Sequence, residues 1–326
     1  MVNANSMGRL FRKHSGLITI AILALVAMGA AAMVDRHWTD ALHAHRWPRL
    51  ERWMNPSIFS GGAMSLNDLV IFYVIGALGV YLGGLGRSRA PKLRALRPQC
   101  GFIITSALVV GVYMVHALKW IVGRARPYEV FNGGWEFTPW FSFGPHFVTE
   151  GIYYGSFPSG HTAQAFIMMS LAYILANQPL ADTNRRPAGW IWGIIAMAFC
   201  LAMAAARCMS WNHWLSDTLG SIFLGWIVMH ILYFHVMKIP QQRRFMAASG
   251  WPTALPPVWE IVLCVYLLAG TVGLMMVLIG TKALIVNNGP WLVAMVPAGA
   301  AVIWFARQRS LCLLHTVWQA FESGTK

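Results

Sequence analysis

One short stretch of the sequence carries the side chains best suited to covalent chemistry. His213 and Asp217 lie four residues apart, so on a helix they share one face. The carboxylate can then accept a proton from one imidazole nitrogen, which leaves the other nitrogen as a nucleophile. Arg207 lies six residues before the histidine, so a turn must intervene if the two side chains are to meet. Ser210 or Asn212 is expected to cap the helix that follows this turn.

A second stretch, Pro158-Ser159-Gly160-His161, has the chemistry of an anion site. It follows a loop and opens an apolar helix, so Ser159 is expected to be the N-cap. The amide groups of Gly160 and His161 would then point outward, where a helix N-terminus attracts an anion such as phosphate.

A third stretch, upstream of both, supplies positive charge. Lys119 and Arg126 are seven residues apart, which is two turns along one helical face. Pro127 is expected to push Arg126 out of helical geometry and to end the element there. Arg124 would point elsewhere, and we interpret it as a charge that snorkels to the membrane interface.

Taken together, these stretches resemble the three motifs of the type 2 phosphatidic acid phosphatase (PAP2) superfamily. The residues that carry the resemblance are Lys119, Arg126-Pro127, Pro158 to His161, Arg207, His213 and Asp217. Their order and spacing match throughout, and the resemblance extends over roughly residues 17–236. One departure is Ala206, because the family usually has Ser before the arginine of the third motif. That difference removes one potential hydrogen bond to the phosphate.

The resemblance implies a phosphatase that works without a metal ion. His213 would attack phosphorus, Asp217 would orient and stabilise this histidine, and His161 would protonate the leaving oxygen and then activate water. The implied phosphate-binding residues are Lys119, Arg126, Ser159, Gly160 and Arg207. No cofactor and no metal is expected, since these groups supply the charge that a metal ion usually supplies in phosphoryl transfer.

Composition indicates a membrane protein. Hydrophobic residues make up 57% of the 326 residues and charged residues only 11%, which excludes an ordinary soluble domain. In a soluble protein a net charge of +14 would suggest nucleic acid, but here the basic residues gather in short loops between apolar runs. We therefore expect membrane lipids as partners and no nucleic acid. The five cysteines show no spacing typical of zinc.

The apolar runs predict an all-α fold, a polytopic membrane helix bundle. Six helices would form a PAP2-like core, and about two extra transmembrane helices would follow at the C-terminal end. The predicted spans are 17–34, 66–85, 100–122, 161–177, 189–206, 214–236, 258–279 and 290–305. The predicted organisation is a cytoplasmic N-terminus (1–16), a catalytic membrane domain (17–236), a cytoplasmic loop (237–257), the added helix pair (258–306) and a cytoplasmic tail (307–326).

The distribution of Lys and Arg predicts which way the bundle faces. Residues 86–99 carry basic side chains and no acid, so we place this loop in the cytoplasm. Arg185 and Arg186 mark the cytoplasmic exit of the fourth span. All three motifs then lie at the outer end of the bundle. The chain would be a multi-pass protein of the cell membrane, such as a bacterial inner membrane, with its active site facing the periplasm or the exterior.

The N-terminal region allows more than one interpretation. Residues 17–34 resemble a signal peptide with a cleavage site near residues 30–32, but the run approaches the ~20 residues that span a bilayer, so an uncleaved anchor is favoured. Residues 35–64 mix tryptophans with arginines, as a helix lying in the interface does. His37, His43 and His45 are not expected to bind a metal, because no acidic or cysteine cluster accompanies them.

The loop 128–157 is rich in aromatic residues, which is typical of a segment at headgroup depth. An interfacial belt is favoured there over recognition of a headgroup by Glu129, Glu136 or Glu150.

A lipid phosphate is the expected substrate, because the motifs lie at the outer interface of a helix bundle. Phosphatidic acid, phosphatidylglycerol phosphate, isoprenyl diphosphate and lipid A phosphate all fit this description. A lipid phosphotransferase using the same residues is the alternative enzyme. A transporter or flippase is less favoured, since almost no ionisable residue falls at mid-bilayer. The added helices are expected to be scaffold, or to mediate a homo-oligomer.

Overall fold

The computed structural model describes residues 4–58, 62–85, 91–149, 154–177, 186–249, 255–286 and 289–322. For residues 4–14 and 249 it describes the backbone alone. The α-helices are α1 (Ala4–Ala44), α2 (Pro48–Met54), α3 (Asp68–Gly83), α4 (Pro91–Ala95), α5 (Arg97–Ser106), α6 (Val115–Val122), α7 (Pro127–Gly133), α8 (Gly160–Phe166), α9 (Met169–Ala176), α10 (Arg186–Met209), α11 (Leu215–Ile231), α12 (Ile239–Ser249), α13 (Trp259–Val286) and α14 (Met295–Glu322). Two π-helical stretches, Ala107–Met114 and Leu232–Val236, and a 3₁₀ turn, Pro290–Ala294, complete the elements.

The helices lie where the apolar runs predicted them. Among the described residues, six helical segments are long and apolar enough to cross a membrane. Two shorter apolar segments, Asp68–Gly83 and Gly160–Ala176, match the predicted second and fourth spans. None of the residues just delimited forms a β-strand. The predicted all-α polytopic bundle is therefore confirmed.

The first helix extends further than the sequence indicated. The predicted span ended at residue 34 and gave way to an interfacial helix, but α1 continues without a break through Ala44. Asp35 and Thr39, which looked like the start of a polar surface, are 1% and 0% exposed. The prediction was wrong for residues 35–44 because these polar side chains face α11 and the core rather than water.

The last two helices are also longer than predicted, and the loop before them contains a helix, α12, that the sequence did not indicate. Residues 307–326 were expected to form a tail after the helix pair. Residues 307–322 are instead the second half of α14, which packs back onto the core. Trp318 donates its indole hydrogen to the carbonyl of Val236 at 2.9 Å, and the Phe321 ring lies 5.3 Å from that of Phe245.

The added helix pair contacts the rest of the bundle at both of its ends. At one end, the Tyr81 hydroxyl donates to the Glu260 carboxylate at 2.6 Å. At the other end, Lys282 donates to the carbonyls of Phe147 and Val148 at 2.9 and 3.0 Å. Burying a carboxyl group is costly unless it is hydrogen-bonded, so Glu260 fixes where α13 can pack.

Large apolar side chains cover the outer faces of the bundle. Leu25 and Ile194 are each 71% exposed, and Ile285 is 77% exposed. A water-soluble monomer rarely presents so many exposed aliphatic residues, whereas a helix bundle surrounded by lipid does. The chain is therefore a membrane protein.

Candidate active site

The ends of four helices meet at one end of the bundle. They are the C-terminal ends of α6 and α10 and the N-terminal ends of α8 and α11. Backbone hydrogen bonds join the segments between them: Ser156 N–H donates to Arg124 O at 2.8 Å, and Ser159 N–H donates to Asp217 O at 3.1 Å. The three sequence motifs are thus brought together, although up to about a hundred residues separate them along the chain.

The third motif is a helix, a turn and a second helix, as the spacing required. α10 ends at Met209, and the amides of Asn212 and His213 fold back onto the Arg207 carbonyl at 3.1 and 3.2 Å. This turn brings the arginine to the same side as the histidine.

The predicted cap of the second helix was wrong. Neither Ser210 nor Asn212 caps α11; Asn212 donates to Ser210 Oγ instead, at 2.8 Å. Asp217 accepts the Trp214 N–H at 2.8 Å from within the first turn of the helix. A carboxylate in the first turn also interacts favourably with the helix dipole.

The surroundings of His213 determine which of its nitrogens can react. Nδ1 lies 2.8 Å from the carbonyl oxygen of Ser156 and 3.6 Å from Asp217 Oδ2. Because a carbonyl oxygen can only accept, Nδ1 carries the proton in this arrangement and Nε2 keeps its lone pair. The sequence predicted that the aspartate would accept the hydrogen bond from this N–H, but the carbonyl oxygen of Ser156 accepts it. Asp217 stays close enough to stabilise positive charge on the ring.

His213 lies in the turn between α10 and α11 and is only 2% exposed. Burial, followed by the positive charges of Lys119, Arg126 and Arg207, holds the pKa of His213 well below its ordinary range. The imidazole is therefore neutral at physiological pH, which is the form that can act as a nucleophile.

Positive charge surrounds the buried histidine. Lys119 is 5% exposed and its ammonium donates to the Gly155 carbonyl at 2.6 Å. Arg207 is 7% exposed, donates to Asn55 Oδ1 at 3.3 Å, and its buried Nε has no hydrogen-bond partner among the described residues. Within the described ranges, neither cation has a carboxylate within 4.0 Å. Burying a cation is costly without a counter-charge, so this arrangement favours a bound anion.

Lys119 and Arg126 reach the site by different routes. The sequence placed them on one helical face, but α6 ends at Val122 and Gly123 adopts a left-handed conformation with φ 56°. Arg126 is extended, as the following proline predicted, and its Nε donates to the Tyr154 carbonyl at 3.3 Å. The charges converge because the chain turns back between them.

The second motif forms the start of α8. Ser159 is the N-cap, and its hydroxyl accepts from the Thr162 amide at 3.5 Å and from the Thr162 hydroxyl at 3.0 Å. Gly160 is the first residue of the helix. His161 lies within electrostatic range of Lys119 and Arg207, on the same side as the other motifs.

Arg124 does not snorkel to the interface, so that prediction was wrong. Its side chain is fully buried and donates at 2.7 Å both to Asp35 Oδ2 and to Asp217 Oδ1. Its guanidinium also lies over the rings of Phe137 and Trp214, with 5.2 Å to each centroid. No local pattern in the sequence indicates this ion-pair triad, because Asp35 lies 89 residues before Arg124.

A strap formed by residues 154–156 holds side chains from two motifs. Its successive carbonyl oxygens accept from Arg126, from Lys119 and from His213, while the Ser156 hydroxyl donates to Asp217. A Cβ added at Gly155 would lie 2.0 Å from the Lys119 carbonyl oxygen, so only glycine fits there. Sequence reasoning missed the strap, since its contribution comes mainly from the backbone.

Other residues considered for function have structural partners. Glu129 accepts the Arg126 amide at 2.6 Å and contacts the His146 ring, and Glu150 lies outside the described residues. His43 stacks on Trp211, with 3.7 Å between ring centroids. In the part of the chain that the structure describes, no three His, Cys, Asp or Glu side chains group as metal ligands do.

The fold and this site define a class of protein: an α-helical membrane protein with a buried histidine beside cations that suit a phosphate-like anion. Residues 100–240 match the family model described as the PAP2 superfamily. This match confirms the resemblance carried by the three motifs. The PAP2 superfamily match implies activity of the phosphatase type. Neither the curated proteins nor the solved structures contain a match to the chain.

Proposed function

We propose that the protein hydrolyses a lipid phosphate through a phosphohistidine intermediate, without a metal ion. One observation carries the proposal: the free Nε2 of a neutral, buried histidine is surrounded by cations, two of which have no carboxylate partner among the described residues. A phosphoryl group is both the anion that such a pocket attracts and the electrophile that such a nitrogen attacks.

The first step forms a bond between Nε2 of His213 and phosphorus while the bond from phosphorus to the alkoxide or phosphate leaving group breaks. In this proposal His161 gives the leaving oxygen a proton. In the second step His161 takes a proton from water. The water oxygen attacks phosphorus, and the bond from phosphorus to Nε2 of His213 breaks. Positive charge develops on the ring of the phosphohistidine, and Asp217, 3.6 Å from Nδ1, offsets it.

The phosphate oxygens would be held by charge and by backbone. Lys119 and Arg207 supply fixed cations, and the arginine Nε, which has no partner in the described part of the chain, offers a donor in a planar fork. Arg126, the Ser159 hydroxyl and the Gly160 amide are the remaining proposed ligands, at the start of a helix that attracts anions. The nearby carboxylates Asp35 and Asp217 both bind Arg124, which leaves little acidic charge for a metal ion.

A lipid is the proposed substrate class because the site lies at one end of a bundle whose sides are apolar. A phosphate at headgroup depth reaches such a site while its acyl or prenyl chains stay in the bilayer. A phosphotransferase would use the same residues and pass the phosphoryl group to a second lipid instead of water. Analysis of the products separates these two activities. A homo-oligomer through α13 and α14 stays a prediction, which cross-linking of the purified protein tests.

We expect the site to face the periplasm or the exterior. Phe141 lies in the loop at the site end and is 69% exposed, whereas Lys92 is exposed on α4. In a Cys312→Ser background, which removes the exposed native thiol, Phe141→Cys should react with an impermeant maleimide in intact cells. Lys92→Cys should react only after permeabilisation. Labelling of intact cells at position 92 but not at 141 would show that the site faces the cytoplasm, which contradicts this prediction.

Orthovanadate should inhibit the enzyme, and chelators should not. Vanadate becomes five-coordinate, so bound to Nε2 of His213 with its oxygens on Lys119 and Arg207 it resembles the phosphoryl group in transfer. We therefore expect it to inhibit more strongly than inorganic phosphate, and activity to survive exhaustive treatment with EDTA. Loss of activity in EDTA that added Mg²⁺ or Zn²⁺ restores would overturn the metal-free mechanism.

A further inference from the structure

The buried ion-pair triad of Asp35, Arg124 and Asp217 joins the N-terminal helix to the reactive histidine. We propose that Asp35 is a positioning residue for phosphoryl transfer: it fixes Arg124 against Asp217 and offsets the arginine's charge, so that net negative charge remains behind His213. The proposal rests on the proposed function. It extends the site to α1, which lies outside the stretch that matches the family.

The geometry of the triad leaves its members little freedom. Arg124 donates through Nη2 to Asp35 and through Nη1 to Asp217, each at 2.7 Å, and through Nε to the Thr138 carbonyl at 2.6 Å. Asp35 in turn accepts from the amide of Ser216 at 2.9 Å and from its hydroxyl at 2.5 Å. One aspartate thus holds both the guanidinium and the first turn of α11, from which the other aspartate projects.

The charges of the triad explain why two carboxylates are needed. Arg124 and Asp217 alone would be a neutral pair, and the aspartate would then offer the histidine only a weak field. Asp35 is 1% exposed and makes the triad net negative. In a dry interior this remaining charge acts strongly over a few ångströms.

His213 is the group on which this charge acts. Among the described residues, the other ionisable groups that face it are cationic or neutral: Lys119 from α6, Arg126 from the following loop, Arg207 from α10 and His161 from α8. The negative triad therefore provides the opposing charge, and it does so on the Nδ1 side, away from the phosphate.

The experiment compares Asp35→Asn with Thr39→Val in the full-length protein. Thr39 lies one turn further along α1, is fully buried, and accepts the Leu215 amide at 3.2 Å, so its loss removes a neutral contact to the same helix. Asp35→Asn should lower kcat by about 10–100-fold with little change in KM, because the phosphate ligands remain. Asp35→Glu, which keeps the charge, should recover part of the loss, and Thr39→Val should keep kcat near that of the wild type.

The pH dependence of kcat/KM separates an electrostatic role from a packing role. Removing a negative charge disfavours protonated His213, so the acid limb of Asp35→Asn should move to lower pH. Arg124→Gln removes a positive charge and should move that limb to higher pH. If Asp35→Asn and Thr39→Val showed the same acid limb and the same loss of kcat, the proposal would be overturned. This comparison holds even if Arg124→Gln fails to fold. Absence of phosphate release by the wild-type protein would instead refute the proposed function.

Discussion

Replacement of His213 by alanine should abolish turnover while the protein still folds and inserts. The side chain is the proposed nucleophile, so the variant lacks the nitrogen that would bond to phosphorus. We expect kcat to fall by on the order of 10⁴-fold or more, as when a nucleophile is removed from a covalent enzyme. Phosphate release by purified protein in detergent measures this loss, and thermal unfolding reports whether the bundle is intact.

His116→Ala is the matched control for this variant. His116 lies on α6 near the same end of the bundle, but its Nδ1 bonds to the carbonyl of Val112 on the preceding turn. Its removal should leave turnover close to that of the wild type. Trapping with a ³²P-labelled substrate adds a direct test, because a phosphohistidine should form in the control and not in His213→Ala. Turnover of His213→Ala at the wild-type rate would contradict the assignment of the nucleophile.

Arg207→Ala should cause the second largest loss. Its guanidinium is buried beside the histidine, and its Nε has no partner within the described residues, so removing it takes away charge and a directed donor together. We expect kcat/KM to fall by about 10²–10³-fold, the usual effect of losing one donor to a developing oxyanion. Vanadate should also bind more weakly, which measures the anion site independently of turnover.

Two substitutions sharpen the interpretation of Arg207→Ala. Arg207→Lys keeps the charge but loses the planar fork, so its activity should fall between those of the wild type and Arg207→Ala. Arg46→Ala removes an arginine whose side chain is half exposed and paired with Glu51, and such pairs contribute little. Equal vanadate affinity in Arg207→Ala and Arg46→Ala would show that Arg207 does not bind the phosphate.

The sequence predicted the parts of this protein that depend on local pattern. Long apolar runs indicated the helices, and a proline indicated that Arg126 would leave helical geometry, because the relevant physics acts within a few residues. The turn between Arg207 and His213 followed from helical periodicity alone. Motif order then indicated which ionisable side chains belong to one site.

Contacts between distant segments could not be predicted in the same way. Asp35 appeared to mark the end of a membrane span, since an isolated carboxylate belongs at the interface. Arg124 appeared to be a snorkelling charge for the same reason. The two side chains form an ion pair only after α1 packs against α11. The roles of the Gly155 and Ser156 carbonyls could not be predicted either. Every residue type has the same backbone carbonyl oxygen, so the sequence does not mark which of them accept hydrogen bonds in the site.

Release of inorganic phosphate from lipid phosphates is the measurement that tests the central claim most directly. Purified wild-type protein in detergent with EDTA is incubated with a panel of lipid phosphomonoesters and diphosphates, alongside His213→Ala. The account predicts phosphate release from at least one lipid by the wild type and none by the variant. Release from no member of the panel, or equal release by both proteins, would contradict it.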